Sequence, residues 1–295
     1  MSDTAGEPWT FDPAVDAHAF QLLGFAETSA GISRTQRDNR QGWWEHARRH
    51  KAFILDAAAQ VEQPRLAVVL GAGKAYDLPL EELARRFERV VLVDIDAEAM
   101  AASSAAAVRD AKLRARLELR PMDVTGVAGR LARGIEAAMA SPSPEDSLEA
   151  LCRAYRLAGR PWLVEERADL LVSGMVLSQL GLQPKLAAKR LFEQRFGRIA
   201  PGSAARWSAA WNDLDLRLQH DHVAALCEDA ALAVLTSDVM HHSGGESWSV
   251  IGAERLAARI PQHLEVLSEK SWNWPRVRGE MSSDVHAVLL RRRPA

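Results

Sequence analysis

The chain is short of several things. Cysteine occurs twice in 295 residues, at positions 152 and 227. That rules out a disulfide framework and leaves no metal-ligand spacing, so both read as small buried hydrophobes in a reducing, cytoplasmic setting. Neither sign of charge dominates. The 37 Lys and Arg stand against 39 Asp and Glu, a formal charge of −2, and no global field gathers nucleic acid. No apolar run approaches the ~20 residues of a membrane span. The opening MSDTAGEPWT lacks a basic segment followed by an apolar core, so no secretory leader is expected. Internal repeats are absent. At 47% hydrophobic and 26% charged residues, the composition suits a soluble globular protein with one large α/β domain, or one domain and a cap.

What is present centres on residues 66–96, LAVVLGAGKAYDLPLEELARRFERVVLVDID. Leu66–Leu70 is a short apolar, β-branched run suited to a strand buried on both faces. Gly71-Ala72-Gly73 ends it and lets the backbone turn sharply against a ligand. Asp77 is placed to cap the next helix, with Pro79 in its first turn and Glu81 and Glu82 complementing the dipole. A second strand over 90–93 ends in Asp94, followed by Ile95. An acid at the tip of the second strand of a βαβ unit is placed to accept hydrogen bonds from ribose hydroxyls. Dinucleotide sites want a third glycine where this chain has Tyr76, which speaks against a pyrophosphate on the helix N-terminus.

The Gly71-x-Gly73 turn with Asp94 resembles motif I and the following acid of the Rossmann-like, S-adenosylmethionine (SAM) dependent methyltransferases. The resemblance implies an α/β fold with a seven-stranded, mostly parallel sheet and an antiparallel last strand. It also implies that Gly71, Ala72 and Gly73 wrap the methionine part of SAM and that Asp94 holds the ribose. Two positions depart from the pattern. Val69 stands where the family has an acid, leaving the methionine ammonium to another group such as Asp77, and Ala75 replaces the third glycine. After the expected third strand (117–120) come Asp123 and Val124. In the resembling family this acid accepts from the adenine amine and the apolar neighbour packs on the ring. The chemistry is sound, since N6 donates and a carboxylate only accepts; Asp123 also suits a helix-capping turn. Residues 168–180 resemble motif IV, with Ser173, Gly174 and Met175 at the cofactor edge and no Asn/Asp-Pro-Pro-Tyr/Phe. That excludes the methylases of DNA bases and amide side chains.

Residues 1–62 read as an N-terminal helical cap on a SAM-binding domain over 63–295 with helical insertions. The first dozen residues look loose. A helix is expected over 12–27, a polar link over 28–34 and a long amphipathic helix over 34–61. The stretch 37–46 suggests a lid, with Trp44 stacking and an arginine on the SAM carboxylate; its tryptophans suit core packing equally. Long helices are expected over 186–196 and 204–231. His220 and His222 flank Asp221, but i and i+2 point to different faces of a helix, so no metal is expected. A fifth strand over 231–235 leads into a loop made flexible by Gly244-Gly245. That loop carries Asp238, His241 and His242, the candidates for a base or acceptor contact. Strands over 263–270 and 284–291 close the sheet as an antiparallel pair joined by a loop holding Trp272 and Trp274. Of the nine tryptophans, those outside the cofactor half could line an acceptor pocket or fill the core.

These readings converge on methyl transfer from SAM to a small-molecule O or N acceptor by in-line displacement, without nucleic acid or membrane as partner. Oligomeric state is not legible. A non-catalytic SAM-fold protein, for which Val69 is the best support, and an NAD(P)-dependent oxidoreductase are the rivals.

Overall fold

The computed structural model describes residues 13–156, 166–226, 228, 230–277 and 279–293. In chain order its helices are α1 (Pro13–Leu22), α2 (Phe25–Asp38), α3 (Arg40–Ala59), α4 (Leu80–Arg86), α5 (Ala97–Ala107), α6 (Ala111–Arg114), α7 (Ala128–Met139), α8 (Pro144–Ala154), α9 (Leu182–Phe196) and α10 (Pro201–Leu226). Its strands are β1 (Leu66–Leu70), β2 (Arg89–Asp94), β3 (Leu117–Pro121), β4 (Ala168–Gly174), β5 (Ala230–Ser243), β6 (Glu246–Ser249), β7 (Leu264–Val277) and β8 (Met281–Arg292). The loose first dozen residues and Cys227 lie outside the described residues. Cys152 is buried. Among the described residues no helix is long and apolar enough to cross a membrane.

One sheet organises the chain in the order β3-β2-β1-β4-β5-β8-β7, with β6 paired to β5. Strands β1 to β5 run parallel; β8 lies antiparallel to β5, and β7 antiparallel to β8. Strand alternation sorts the core into two layers. Leu66, Val68 and Leu70 of β1 pack with α7 and α10 through Leu131, Ile135, Trp211 and Leu218. Ala67 and Val69 face the other way, against Phe53 and Ile54 of α3, Leu83 of α4 and Met100 of α5. Every residue of β1 is buried, as a strand covered by helices on both faces must be.

The expected long strand-free stretches are strand. β5 continues to Ser243 rather than stopping at Leu235, because β8 pairs along its length, with a register shift between Asp238 and Met240. Gly244 and Gly245, both at positive φ, make the tight turn of the β5–β6 hairpin rather than a flexible loop. β7 likewise runs through Trp272, Trp274 and Pro275. It is the edge strand, where a proline without an N–H is tolerated. With β6 paired to β5, the sheet has eight strands among the described residues rather than seven.

At the N-terminus the expected polar link over 28–34 is helical and belongs to α2. Thr28, Ser33 and Thr35 turn their hydroxyls back onto the carbonyls of Gly24, Ser29 and Gly31, a pattern that satisfies these side chains within a helix. The chain breaks at Gly24, with φ 76°, and at Asn39. Ala19 and Leu23 join the core layer containing α7, whereas α3 joins the opposite layer. Between them α2, with no buried residue, crosses the carboxyl edge of the parallel strands.

Candidate functional site

At that edge lies a cavity of about 520 Å³, lined by the Gly71–Ala75 turn, the ends of β2 and β4, α2, α3 and the far end of β7. Its size is that of a small-molecule or cofactor site.

The glycine turn is strapped to β2. The N–H groups of Gly71 and Ala72 both donate to Val93 O, at 2.8 and 3.1 Å. Gly71 sits at φ 69°, and a Cβ there would come within 2.0 Å of Val176 Cγ2, so glycine is required twice over. Gly73 N donates to Asp94 Oδ2 at 3.0 Å and Asp96 N to Asp94 Oδ1 at 2.8 Å. Burial pushes the Asp94 carboxyl up to about 6, against the pull of those backbone N–H groups. Asp94 and Ile95 both line the cavity. Among the described residues two that are not glycine hold left-handed backbone, Ala75 at φ 51° and Met175 at φ 59°, and both face the same cavity. Such strain persists where the surroundings over-determine it.

Several expected site residues are placed otherwise. Asp77 does not cap α4, whose N-cap is Pro79 with no side-chain bond. Its Oδ2 instead accepts from His50 Nδ1 at 2.9 Å and His46 Nε2 at 3.4 Å. Burial would raise this carboxyl, but the charge of His50 and the bonds from both rings hold it well below the usual carboxylate range. Asp123 lines the cavity with its carboxylate already committed. Its oxygens accept from Thr125 N and Oγ1 and from the N–H groups of Val127 and Ala128 at 2.7–2.9 Å. It is the capping acid of α7, not a free acceptor for an adenine amine. Val124 remains at the cavity wall. Ser173 is buried, with Oγ 2.8 Å from His222 Nε2, on the α10 side of β4; Gly174 and Met175 alone of that trio line the cavity. Trp44 is 64% exposed, lying under Arg48. Its neighbour Trp43 lines the cavity instead, one residue being about 100° of helix rotation.

The three candidates expected in a loop lie on β5. His242 leaves the site, held by Ser247 Oγ at 2.7 Å and Asp284 Oδ2 at 2.9 Å on the outer hairpin. Asp238, 1% exposed, reaches the cavity wall, where it accepts from Ser178 Oγ and from Arg276 Nη1, the latter at 3.3 Å. His241 stands behind Arg276. Its Nε2 lies 3.4 Å from Arg276 Nη1 and 3.5 Å from Asp238 Oδ2, and its Nδ1 lies 2.8 Å from Ser283 Oγ. Both ring nitrogens of His241 thus meet protein partners. Burial lowers its pKa, with Asp238 opposing.

Sequence reasoning missed His46, His50 and Arg276. The two histidines are one helical turn apart on α3, a spacing that puts both on one face. With Asp77 they form the one cluster among the described residues of a shape to hold a metal. The indole of Trp272 decides against that use. Its N–H can only donate, and it donates to His46 Nδ1 at 3.2 Å, so the proton of neutral His46 sits on Nε2 and goes to Asp77. That ring keeps no lone pair for a metal. His46 is stacked on Trp274 at 4.0 Å, and burial lowers its pKa, with Asp77 opposing. The other pair, His220 and His222, diverges as expected: His220 is exposed and His222 buried, the latter pushed down to about 4 by burial.

A parallel sheet in the order 3-2-1-4-5 closed by an antiparallel pair, with a Gly-x-Gly turn after β1 and an acid at the end of β2, decides the fold. It is the Rossmann-like methyltransferase fold. No family model and no curated protein matches the chain. Among solved structures it is similar to the N-methyltransferase NodS from Bradyrhizobium japonicum WM9, at 12% identity and a TM-score of 0.42, covering 87% of this chain and 99% of that one. It is also similar to magnesium protoporphyrin IX methyltransferase from Synechocystis PCC 6803 with bound SAM, at 12% identity and TM-score 0.45, over 96% and 99%. A third, a putative tRNA (m1A22) methyltransferase from Streptococcus pneumoniae, is 9% identical, with TM-score 0.36, over 82% and 70%. These are likenesses of fold.

Proposed function

We propose that the chain is a SAM-dependent methyltransferase acting on a small-molecule acceptor in this cavity. The observation that carries the reading is the charge of the wall. Beside the glycine turn, Asp77, Asp94, Asp96, Asp123 and Asp238 face two cations among the described residues, Lys74 and Arg276. A sulfonium with an ammonium suits such a wall, whereas the pyrophosphate of a nicotinamide cofactor would be repelled.

The residues fit SAM with one reassignment. Asp94 presents remaining lone pairs beside Gly73 for ribose hydroxyls. Val69, fully buried between the sheet and the helices, has no ammonium to meet. Asp77 takes that part: both histidines use Oδ2, and Oδ1 has no protein partner among the described residues. Ile95 and Val124 supply apolar surface for the base, without a carboxylate contact from Asp123. SAM when bound supplies a methyl group already electrophilic on sulfur, so the chain's task is alignment and exclusion of water. The α2 helix over the cavity supports the latter role and a small acceptor rather than a polymer. Cytoplasmic placement belongs to the same reading.

Calorimetric titration with SAM, S-adenosylhomocysteine (SAH) and NADH tests it. Binding of SAM and SAH with NADH silent is expected; NADH binding with SAM silent reverses the assignment.

A further inference from the structure

The far end of the cavity is built for something other than a cofactor. Trp43, His46, Tyr76 and Trp274 all line it. Trp43 meets Trp274 edge-on at 4.8 Å, Tyr76 at 6.1 Å and His46 at 6.2 Å. This is a rigid aromatic corner, held by ring-on-ring packing. Trp274 itself is already covered, by the stacked ring of His46 at 4.0 Å and by the Arg276 guanidinium 4.9 Å from its centroid. Its π surface is spent inside the protein and is not offered to a cationic ligand.

Among the described residues Arg276 is the cation at this end; the other lining cation, Lys74, belongs to the glycine turn. Its guanidinium is fixed by one nitrogen. Nη1 donates to Asp238 Oδ2 at 3.3 Å and faces His241 Nε2 at 3.4 Å, while Trp274 holds the plane. Nε and Nη2 have no protein partner among the described residues, and the side chain is 26% exposed. Those two N–H groups form the side edge of the guanidinium, the fork that matches both oxygens of a carboxylate. Asp238 neutralises the cation only partly from behind, at Nη1, and Ser178 shares that carboxylate.

We infer that the acceptor is an aromatic or heteroaromatic acid, its ring against Trp43 and the more exposed Tyr76 and its carboxylate on the Nε/Nη2 edge of Arg276. This rests on the methyl-transfer reading of the cavity. A carboxylate could also come from the methionine end of the cofactor, but its ammonium shares a carbon with that carboxylate. Asp77, the group proposed for the ammonium, is linked to Arg276 through His46 and Trp274, and the test below separates the two sources.

The test uses the full chain saturated with SAH, titrated with 2-naphthoate, 2-naphthylmethanol and 2-naphthylmethylamine and followed by tryptophan fluorescence. Naphthoate is expected to bind about tenfold or more tighter than the alcohol, the worth of a charge-assisted bidentate contact. Arg276→Gln should bring the two to parity with SAH affinity kept, and Arg276→Lys, a point charge without the fork, should restore only part of the preference. An unchanged melting temperature in Arg276→Lys guards against misfolding. Equal binding of acid and alcohol, or preference for the amine, overturns the inference. So does an Arg276→Gln protein that loses SAH affinity yet binds 5′-methylthioadenosine normally, because the carboxylate would then be the cofactor's. Failure of SAH to bind the unaltered protein would instead defeat the methyltransferase reading itself.

Discussion

Asp94 and Asp77 are carboxylates of opposite character, and the difference is set by what surrounds them. Asp94 is raised to about 6 by burial. The folded chain therefore keeps a proton that the unfolded chain, with an aspartate near ~3.9, gives up. Stability from this group is lost as pH climbs through that window. Hydroxyls donating to the ionised form reverse the sign for binding. SAH affinity should rise between about pH 5 and pH 7 and flatten above, and Asp94→Asn should abolish the dependence; a flat profile in the unaltered protein refutes the ribose role. Asp77 is held below the usual range by two histidines, so its contribution to stability is complete at neutral pH and lost only in strong acid. Asp77→Asn should weaken SAH by about 1.5–3 kcal/mol, a hydrogen bond to a charged group. Methylthioadenosine, which lacks the ammonium, should bind as before; an equal loss for both ligands would mean that the change merely disturbed the turn.

Among the elements, α2 is the one whose packing suits movement. Its neighbours on either side are anchored in opposite core layers, whereas α2 has no buried residue and lines the cavity through Phe25, Ile32 and Thr35. Asn39 ties its far end to the sheet, with Nδ2 donating to Pro275 O at 2.6 Å and Oδ1 accepting from Gly42 N at 3.4 Å. A helix held at its ends and resting on a ligand cavity should open at low free energy. Hydrogen exchange across α2 is expected to slow on SAH binding, while β1 and β4 stay protected throughout. Unchanged exchange in α2 would end its interpretation as a cover.

For the molecule as a whole, a formal charge of −2 conceals a cavity with a clear excess of carboxylates. Net charge governs long-range encounter; the local wall governs which ligand stays. SAM, which carries the sulfonium charge, should therefore bind more tightly than SAH at low salt. The gap should narrow as ionic strength rises from about 0.01 to 1 M and the Debye length falls from about 30 to 3 Å. A preference for SAH that is indifferent to salt would show that the wall's charge does not bear on binding.

The local pattern of residues 66–96 was enough for β1, the glycine turn, α4 and β2, because a continuous apolar run, two glycines and an acid act within a few residues of one another. It also sufficed for the antiparallel closing pair, since two strand-like runs without an intervening helical pattern leave little else. It did not reach β5 beyond Leu235 or β7 through Pro275, because those strands persist only by pairing with β8. It pointed to Trp44 where Trp43 lines the cavity, because the roles of the two depend on the rotation of α3 against β7. For Asp123 the sequence favoured the adenine contact over the capping turn, and only the packing of α7 brings the N–H groups that engage its carboxylate. His46, Asp77 and Trp272 are scattered along the chain and have no shared spacing to detect. Tertiary structure alone brings them together, and it also fixes where their protons lie, because hydrogen-bond direction is a property of neighbours in space.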